Sequence, residues 1–128
     1  MSHFSNIKTQ IRDLTSLKAA LTEMGIDWQA GPRPVRGYQG QTQTAEVVLE
    51  QDNDYDIGFC WNGQEYELVA DLQFWQQSLT VEGFLRKVTQ GYAYQTVKNE
   101  SFKQGFEITE EQKQKDGTIR LLVQRWNG

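Results

Sequence analysis

Between Tyr55 and Leu72 the chain reads YDIGFCWNGQEYELVADL, with apolar residues alternating with polar or small ones on both sides of Asn62-Gly63. Asn-Gly is a preferred pair for a two-residue type I′ turn, because both central residues must take positive φ. The pattern predicts an antiparallel hairpin with Trp61 opposite Gln64, Phe59 opposite Tyr66, Ile57 opposite Leu68 and Tyr55 opposite Ala70. One face is then apolar. The other carries Asp56, Gly58, Cys60, Glu65, Glu67, Val69 and Asp71 and is expected to be wet.

Upstream, Ile7, Thr9 and Ile11 share one side of an extended segment over residues 3–11, and Asp13 stands where a helix N-cap belongs. Leu14, Leu17, Leu21 and Met24 then predict a helix over residues 14–24 that ends at Gly25. A single helix from Ile7 to Met24 also fits a 3.6-residue period. The break is favoured because Asp13 caps well and Thr15-Ser16 suit a helix interior poorly. Ile26, Trp28 and Ala30 suggest a short strand before AGPRPVRGYQG, which holds both prolines and three of the eleven glycines and reads as a loop. Thr44 to Gln51 reads as a strand with Ala45, Val47 and Leu49 on one face. The polar run Gln51-Asp52-Asn53-Asp54 lacks the glycine and closing glutamate of a calcium loop and reads as a turn.

Downstream, Ser78 or Thr80 can cap a second helix, with Glu82 near its positive end and Val81, Phe84, Leu85, Val88 and Tyr92 as its apolar stripe. The helix extends through Ala93 and Val97 towards Phe102; Gly91 marks a kink or a close approach to the sheet, and Tyr94 faces outward. The tail FEITEEQKQKDGTIRLLVQRW reads as a hairpin turning at Asp116-Gly117. A two-residue turn would set Ile119 against Gln114, so either the turn is longer or the polar arm covers a sheet edge. The expected fold is a single α+β domain over residues 1–128: a mainly antiparallel sheet of five or six strands with two helices packed on one face. Strand-helix-strand-strand occurs twice, hinting at duplicated architecture without a residue-level repeat.

Composition narrows the function classes. Four Trp, five Tyr and six Phe in 128 residues argue for one folded domain. A net charge of −4 and a pI near 5.0 argue against a nucleic-acid partner, which needs clustered cations. Mean hydropathy is −0.68, and no apolar run approaches the ~18 residues of a membrane span. The opening residues lack a signal-like apolar core, so the chain is expected to stay where it is made. With one cysteine, an internal disulfide or a multi-cysteine metal site is excluded, and no metal or cofactor is expected.

Nothing in the residues assembles a catalytic site, and an enzyme is not the favoured reading. The sole histidine, His3, lies beside the start of the sequence and is a poor general base, whether or not it meets Cys60. GYQGQTQ lacks the lysine of a phosphate loop and the third glycine of a dinucleotide turn. Asp56 and Asp71 share the predicted wet face, where carboxylates usually only solubilise. Arg33, Arg36 and Tyr38 in the Pro/Arg loop, together with Tyr94, are the candidate contacts for an anion or a protein partner; solvated surface residues are the plainer alternative. Trp61 and Trp126 could anchor an interface, although the register assigns Trp61 to the core.

The segments MSHFSNIKTQIRDLTSLKAALTEMG, RGYQG, YDIGF, YELVADLQFW and DGTIRLLVQRW resemble the hypothetical chloroplast reading frame 35 family, also called domain of unknown function 1257, nearly end to end. The resemblance implies a protein of the cyanobacterial cytoplasm or plastid stroma with a link to photosynthesis, and it supplies no catalytic residues. The expected function is that of an accessory or assembly factor acting by protein binding, with self-association an open expectation. The alternative is a small-ligand or cofactor-binding protein or enzyme subunit using the Pro/Arg loop.

Overall fold

The hairpin at residues 57–70 forms with a longer turn than Asn62-Gly63 alone requires. In the computed structural model, which describes residues 3–115 and 118–125, strands β4 (Ile57–Trp61) and β5 (Tyr66–Ala70) pair Phe59 with Leu68 and Trp61 with Tyr66. Four residues therefore bridge the strands. Asn62 sets this geometry: its side-chain oxygen accepts from the backbone N–H of Gln64 and of Glu65, both at 2.8 Å, and Gly63 takes φ +101°. The register differs by two residues from the expected one. Because side chains alternate with period two, every residue keeps its predicted face.

Strand β1 (Ser5–Ile11) joins β5, and β3 (Thr42–Leu49) and β2 (Gln29–Arg36) extend the other side, giving an antiparallel five-stranded sheet in the order β1-β5-β4-β3-β2. The break at Asp13 holds, since its carboxylate accepts from the Ser16 N–H at the start of α1 (Leu14–Glu23). Thr80 caps α2 (Val81–Lys103) in the same way through Gly83. Both helices cover one sheet face, where Leu17, Leu21, Phe84 and Val88 pack on Val47, Leu49, Ile57, Phe59 and Leu68. The Tyr92 hydroxyl accepts from the backbone N–H groups of Arg12 and Asp13, tying α2 to the β1–α1 junction. A Cβ on Gly91 would lie 3.2 Å from that of Ala20, so the close approach at Gly91 is to α1 rather than to the sheet.

The Pro/Arg segment departs most from expectation. It is largely strand, not loop: β2 runs through Pro32 and Pro34 as an edge strand, where proline's missing N–H costs no ladder bond. A register shift between Ala30 and Arg33, with a cis Gly31-Pro32 bond inside it, bends the β2–β3 hairpin. Its distal half folds over the outer sheet face. There Val35 and Ala45 stand directly above Gly58, and Gly37 meets the ring of Phe4 at the start of β1. Ala45 thus leaves the face it was expected to share with Val47 and Leu49 and joins Val35, Val48, Cys60 and Val69 in a second apolar cluster.

The outer face is consequently dry around Cys60 and Val69, while Glu65 and Glu67 stay partly exposed. Cys60, expected to be available there, is buried, and burial pushes its thiol up to about 11, with Glu46 adding to the shift. The folded state holds this proton more tightly than an unfolded chain does. The resulting stabilisation is complete below the unfolded pKa of about 8.5 and is lost as pH rises towards the folded value. We expect thiol reagents near neutral pH to modify Cys60 at least ~100-fold more slowly in the native protein than in urea. We also expect a fall in unfolding midpoint between pH ~9 and ~11 that is flattened in Cys60→Ala. Equal labelling rates with and without urea would contradict the burial.

The last two strands, β6 (Phe106–Lys113) and β7 (Ile119–Arg125), form a separate two-stranded sheet beyond α2. Ile119 pairs with Lys113, and Gln114 N–H bonds the Thr118 carbonyl, so the turn is longer than two residues. The expected turn pair Asp116-Gly117, and Trp126, lie outside the described residues. Among the described residues no helix is long and apolar enough to cross a membrane, and no group of three or more metal-ligating side chains occurs.

Candidate functional site

The four candidate contact residues fall in three places. Arg33, in mid β2, lies 3.4 Å from Glu50 across the neighbouring strand, with both side chains largely exposed. Arg36 ends β2 and is tied down by carboxylates: Asp56 accepts from its Nε at 2.9 Å, its Nη2 at 2.8 Å and its backbone N–H at 2.9 Å, and Asp54 accepts from Nη1 at 3.0 Å. Asp56 is only 2% exposed, and its hydrogen bonds raise the Arg36 pKa further above its usual value. The pair joins the tip of the folded-over hairpin to the strand beneath it, assisted by a bond from Asp56 N–H to the Arg36 carbonyl.

Tyr38 sits in the short turn of 3-10 helix after β2 and lies nearly parallel to Phe74, with ring centres 6.3 Å apart. Tyr55 stacks on Phe74 at 3.9 Å. Gln51, buried beside them, donates to the carbonyls of Tyr55 and Phe74 and accepts from Gln76 N–H and Gln77 Nε2. Arg36 and Tyr38 therefore adjoin a cross-braced end of the sheet. Asp71 is also buried; one of its carboxylate oxygens accepts from Gln73 N–H at 3.2 Å, while the other has no hydrogen-bond partner. The wet carboxylate face foreseen for Asp56 and Asp71 does not exist. Trp61 is 44% exposed rather than packed in the core and tilts against Tyr66 with ring centres 4.9 Å apart.

Tyr94 belongs to a different region, a groove of about 800 Å³ bounded by α1, α2 and the β6–β7 hairpin. Its floor includes Ala20, Leu79, Phe84 and Gly91, and its α2 wall presents Lys87, Gln90, Tyr94, Gln95 and Lys98. Burial raises the Tyr94 pKa, as does its hydrogen bond with Glu111 across the groove. The phenol therefore stays protonated and bridges the helix to the last hairpin. Sequence reasoning identified Tyr94 from its outward position but missed Lys87, Gln90, Gln95 and Lys98. The three- and four-residue spacing of Lys87, Gln90, Tyr94 and Lys98 on one helix face was the available signal.

Among the described residues the groove holds no histidine or cysteine, and His3 is exposed at a separate place. Its chemistry is that of hydrogen-bonding amides, two ammonium groups and a phenol around an apolar floor, an arrangement suited to binding.

The comparisons with known proteins point one way. An uncharacterised protein named ycf35 from Guillardia theta is 49% identical over 126 residues, 98% of each chain. Proteins of the same name from Cyanophora paradoxa and Pyropia yezoensis are 47% and 46% identical over 98% and 99% of this chain and of their own. No solved structure matches. The profile described as protein of unknown function (DUF1257) matches residues 20–122, from the last turn of α1 through β2–β5 and α2 into β7, so the chain belongs to the DUF1257 family.

Proposed function

We propose that the protein is a non-enzymatic accessory or assembly factor of photosynthetic cells that binds another protein in the groove between α1, α2 and the β6–β7 hairpin. The groove carries this reading: about 800 Å³, with Tyr94, amides and ammonium groups along its α2 wall. A volume of that order accommodates several side chains of a partner. The buried, proton-retaining Cys60 supports a binding role over thiol chemistry. The photosynthetic setting, in plastid stroma or cyanobacterial cytoplasm, rests on the family resemblance of the sequence. Arg33 in mid β2 and Tyr38 beyond its end are proposed as separate secondary contacts, while Arg36 acts chiefly as a strut for the hairpin.

The test is affinity capture from a photosynthetic lysate, with size-exclusion chromatography and light scattering on the purified protein. The expected result is a reproducible partner that co-elutes with the wild type and is lost with Tyr94→Arg, while far-ultraviolet circular dichroism stays unchanged. A strictly monomeric protein with no reproducible partner, or capture indifferent to Tyr94→Arg, would sink the reading.

A further inference from the structure

We infer that the outer border of β7 takes a second copy of the chain: β7 pairs antiparallel with β7 of that copy about a twofold axis at Leu122, joining two hairpins into one four-stranded sheet. Leu122 does not line the groove, so this inference stands apart from the protein-binding reading above.

The first observation is an open border. The β6–β7 sheet has two strands, and α2 packs chiefly against β6, which is itself interrupted by a register shift between Ile108 and Glu110. β7 runs for seven residues without proline, glycine or any skipped position in its pairing. The bond from Gln114 N–H to the Thr118 carbonyl turns residue 118 towards β6. By alternation Ile119, Leu121 and Val123 turn their backbone N–H and C=O groups the other way. Among the described residues no strand meets them there. Such a row of backbone groups is a template for a further strand.

The second observation is self-complementarity. Antiparallel overlap of all seven residues sets Leu122 opposite its own copy, Arg120 opposite Gln124 and Ile119 opposite Arg125, so no arginine meets another. Leu122 is 51% exposed, and this register covers it with an identical side chain. The pair falls at a non-hydrogen-bonded position, where opposing side chains come closest. Because Glu107 pairs with Gln124 within the hairpin, the row that starts at Arg120 ends at Glu107 of the second copy. The register therefore matches charge as well as apolar contact. The twofold axis uses up both open borders, so two copies make a closed pair rather than a growing chain.

Two measurements on the full-length protein test the inference. Sedimentation from about 1 µM to about 500 µM should show a reversible monomer–dimer equilibrium. Leu122→Lys sets two ammonium groups face to face and should weaken the dimer at least about tenfold, with far-ultraviolet circular dichroism unchanged. Leu122→Cys should cross-link to a dimer on mild oxidation, since opposing Cα atoms about 4.5 Å apart lie within disulfide reach. Arg120→Cys should not, because residue 120 is displaced from its own copy by about 13 Å along the strands. Cys60 is buried and stays out of the reaction.

A monomer at every concentration, a dimer indifferent to Leu122→Lys, or equal cross-linking at residues 120 and 122 would overturn the inference. Should Leu122→Lys fail to fold, the contrast between the two cysteine variants decides alone. A foreign protein lost with Leu122→Lys, while the chain by itself stays monomeric, would assign the border to that protein and overturn the self-pairing. A monomeric chain that still captures a partner through Tyr94 would overturn this inference and leave the groove reading standing.

Discussion

Gly31→Ala is expected to destabilise the protein by about 3 kcal/mol or more, among the largest effects of any single methyl group in this chain. A Cβ at Gly31 would lie 2.0 Å from the Ala45 carbonyl oxygen and 2.9 Å from the Glu46 Cα. Both are backbone atoms, so no side-chain rotation relieves the clash. The strands would have to part at the bend, just before pairing resumes at Arg33 opposite Ala45. The loss would spread, because that bend carries Val35 and Ala45 over Gly58 and so closes the second apolar cluster. Urea denaturation read by circular dichroism should show a markedly lower midpoint with little change in slope. Gln29→Ala, at an exposed neighbouring position, serves as the control and should stay within about 0.5 kcal/mol of wild type. An unaltered midpoint for Gly31→Ala would show that the strands are not in such close contact.

Asp56→Ala should cost a similar amount, about 3 kcal/mol. Removing one partner of a buried ion pair typically costs about 3–5 kcal/mol. The lower end applies here, since the Arg36 side chain is 42% exposed and can rehydrate. What it cannot recover easily is the acceptor for its own backbone N–H. Asp54→Ala removes the other carboxylate on the same guanidinium, but that side chain is 83% exposed. Its loss should stay below about 1 kcal/mol. A double-mutant cycle between Asp56→Ala and Arg36→Ala should return a coupling of about 1–3 kcal/mol. Coupling near zero would mean that the two residues act independently and that the hairpin is held down by packing alone.

The elements legible in the sequence were those specified locally. Asp13 and Thr80 cap helices through their own side chains, and alternation across residues 57–70 assigns faces to β4 and β5 whatever the turn length. The turn length was not legible, because Asn62-Gly63 serves either a two-residue turn or the four-residue loop that the Asn62 side chain organises. The fold-over of β2–β3 was hidden for a different reason. Prolines and glycines signal irregular backbone, but whether a segment is a loop or a bent edge strand depends on what it lands upon. The landing surface is made of Gly58, Cys60 and Val69, and in isolation a glycine and a cysteine among acids look like a polar face. The candidate groove was half legible: the helix-face spacing of Lys87, Gln90, Tyr94 and Lys98 could be read, but not that β6–β7 would supply its opposite wall.

The fold-over also governs how the sheet meets other polypeptide chains. An antiparallel sheet normally ends in two rows of unused backbone donors and acceptors, open to adding another strand. Here Pro32 and Pro34 remove donors from the β2 edge, and a register shift between Lys8 and Ile11 interrupts the β1 edge. Bending the hairpin across the sheet brings Gly37 at the end of β2 against Phe4 at the start of β1, so the two borders approach each other instead of facing outward. A partner therefore gains little by extending the sheet, and copies of the chain have little on which to polymerise edge to edge.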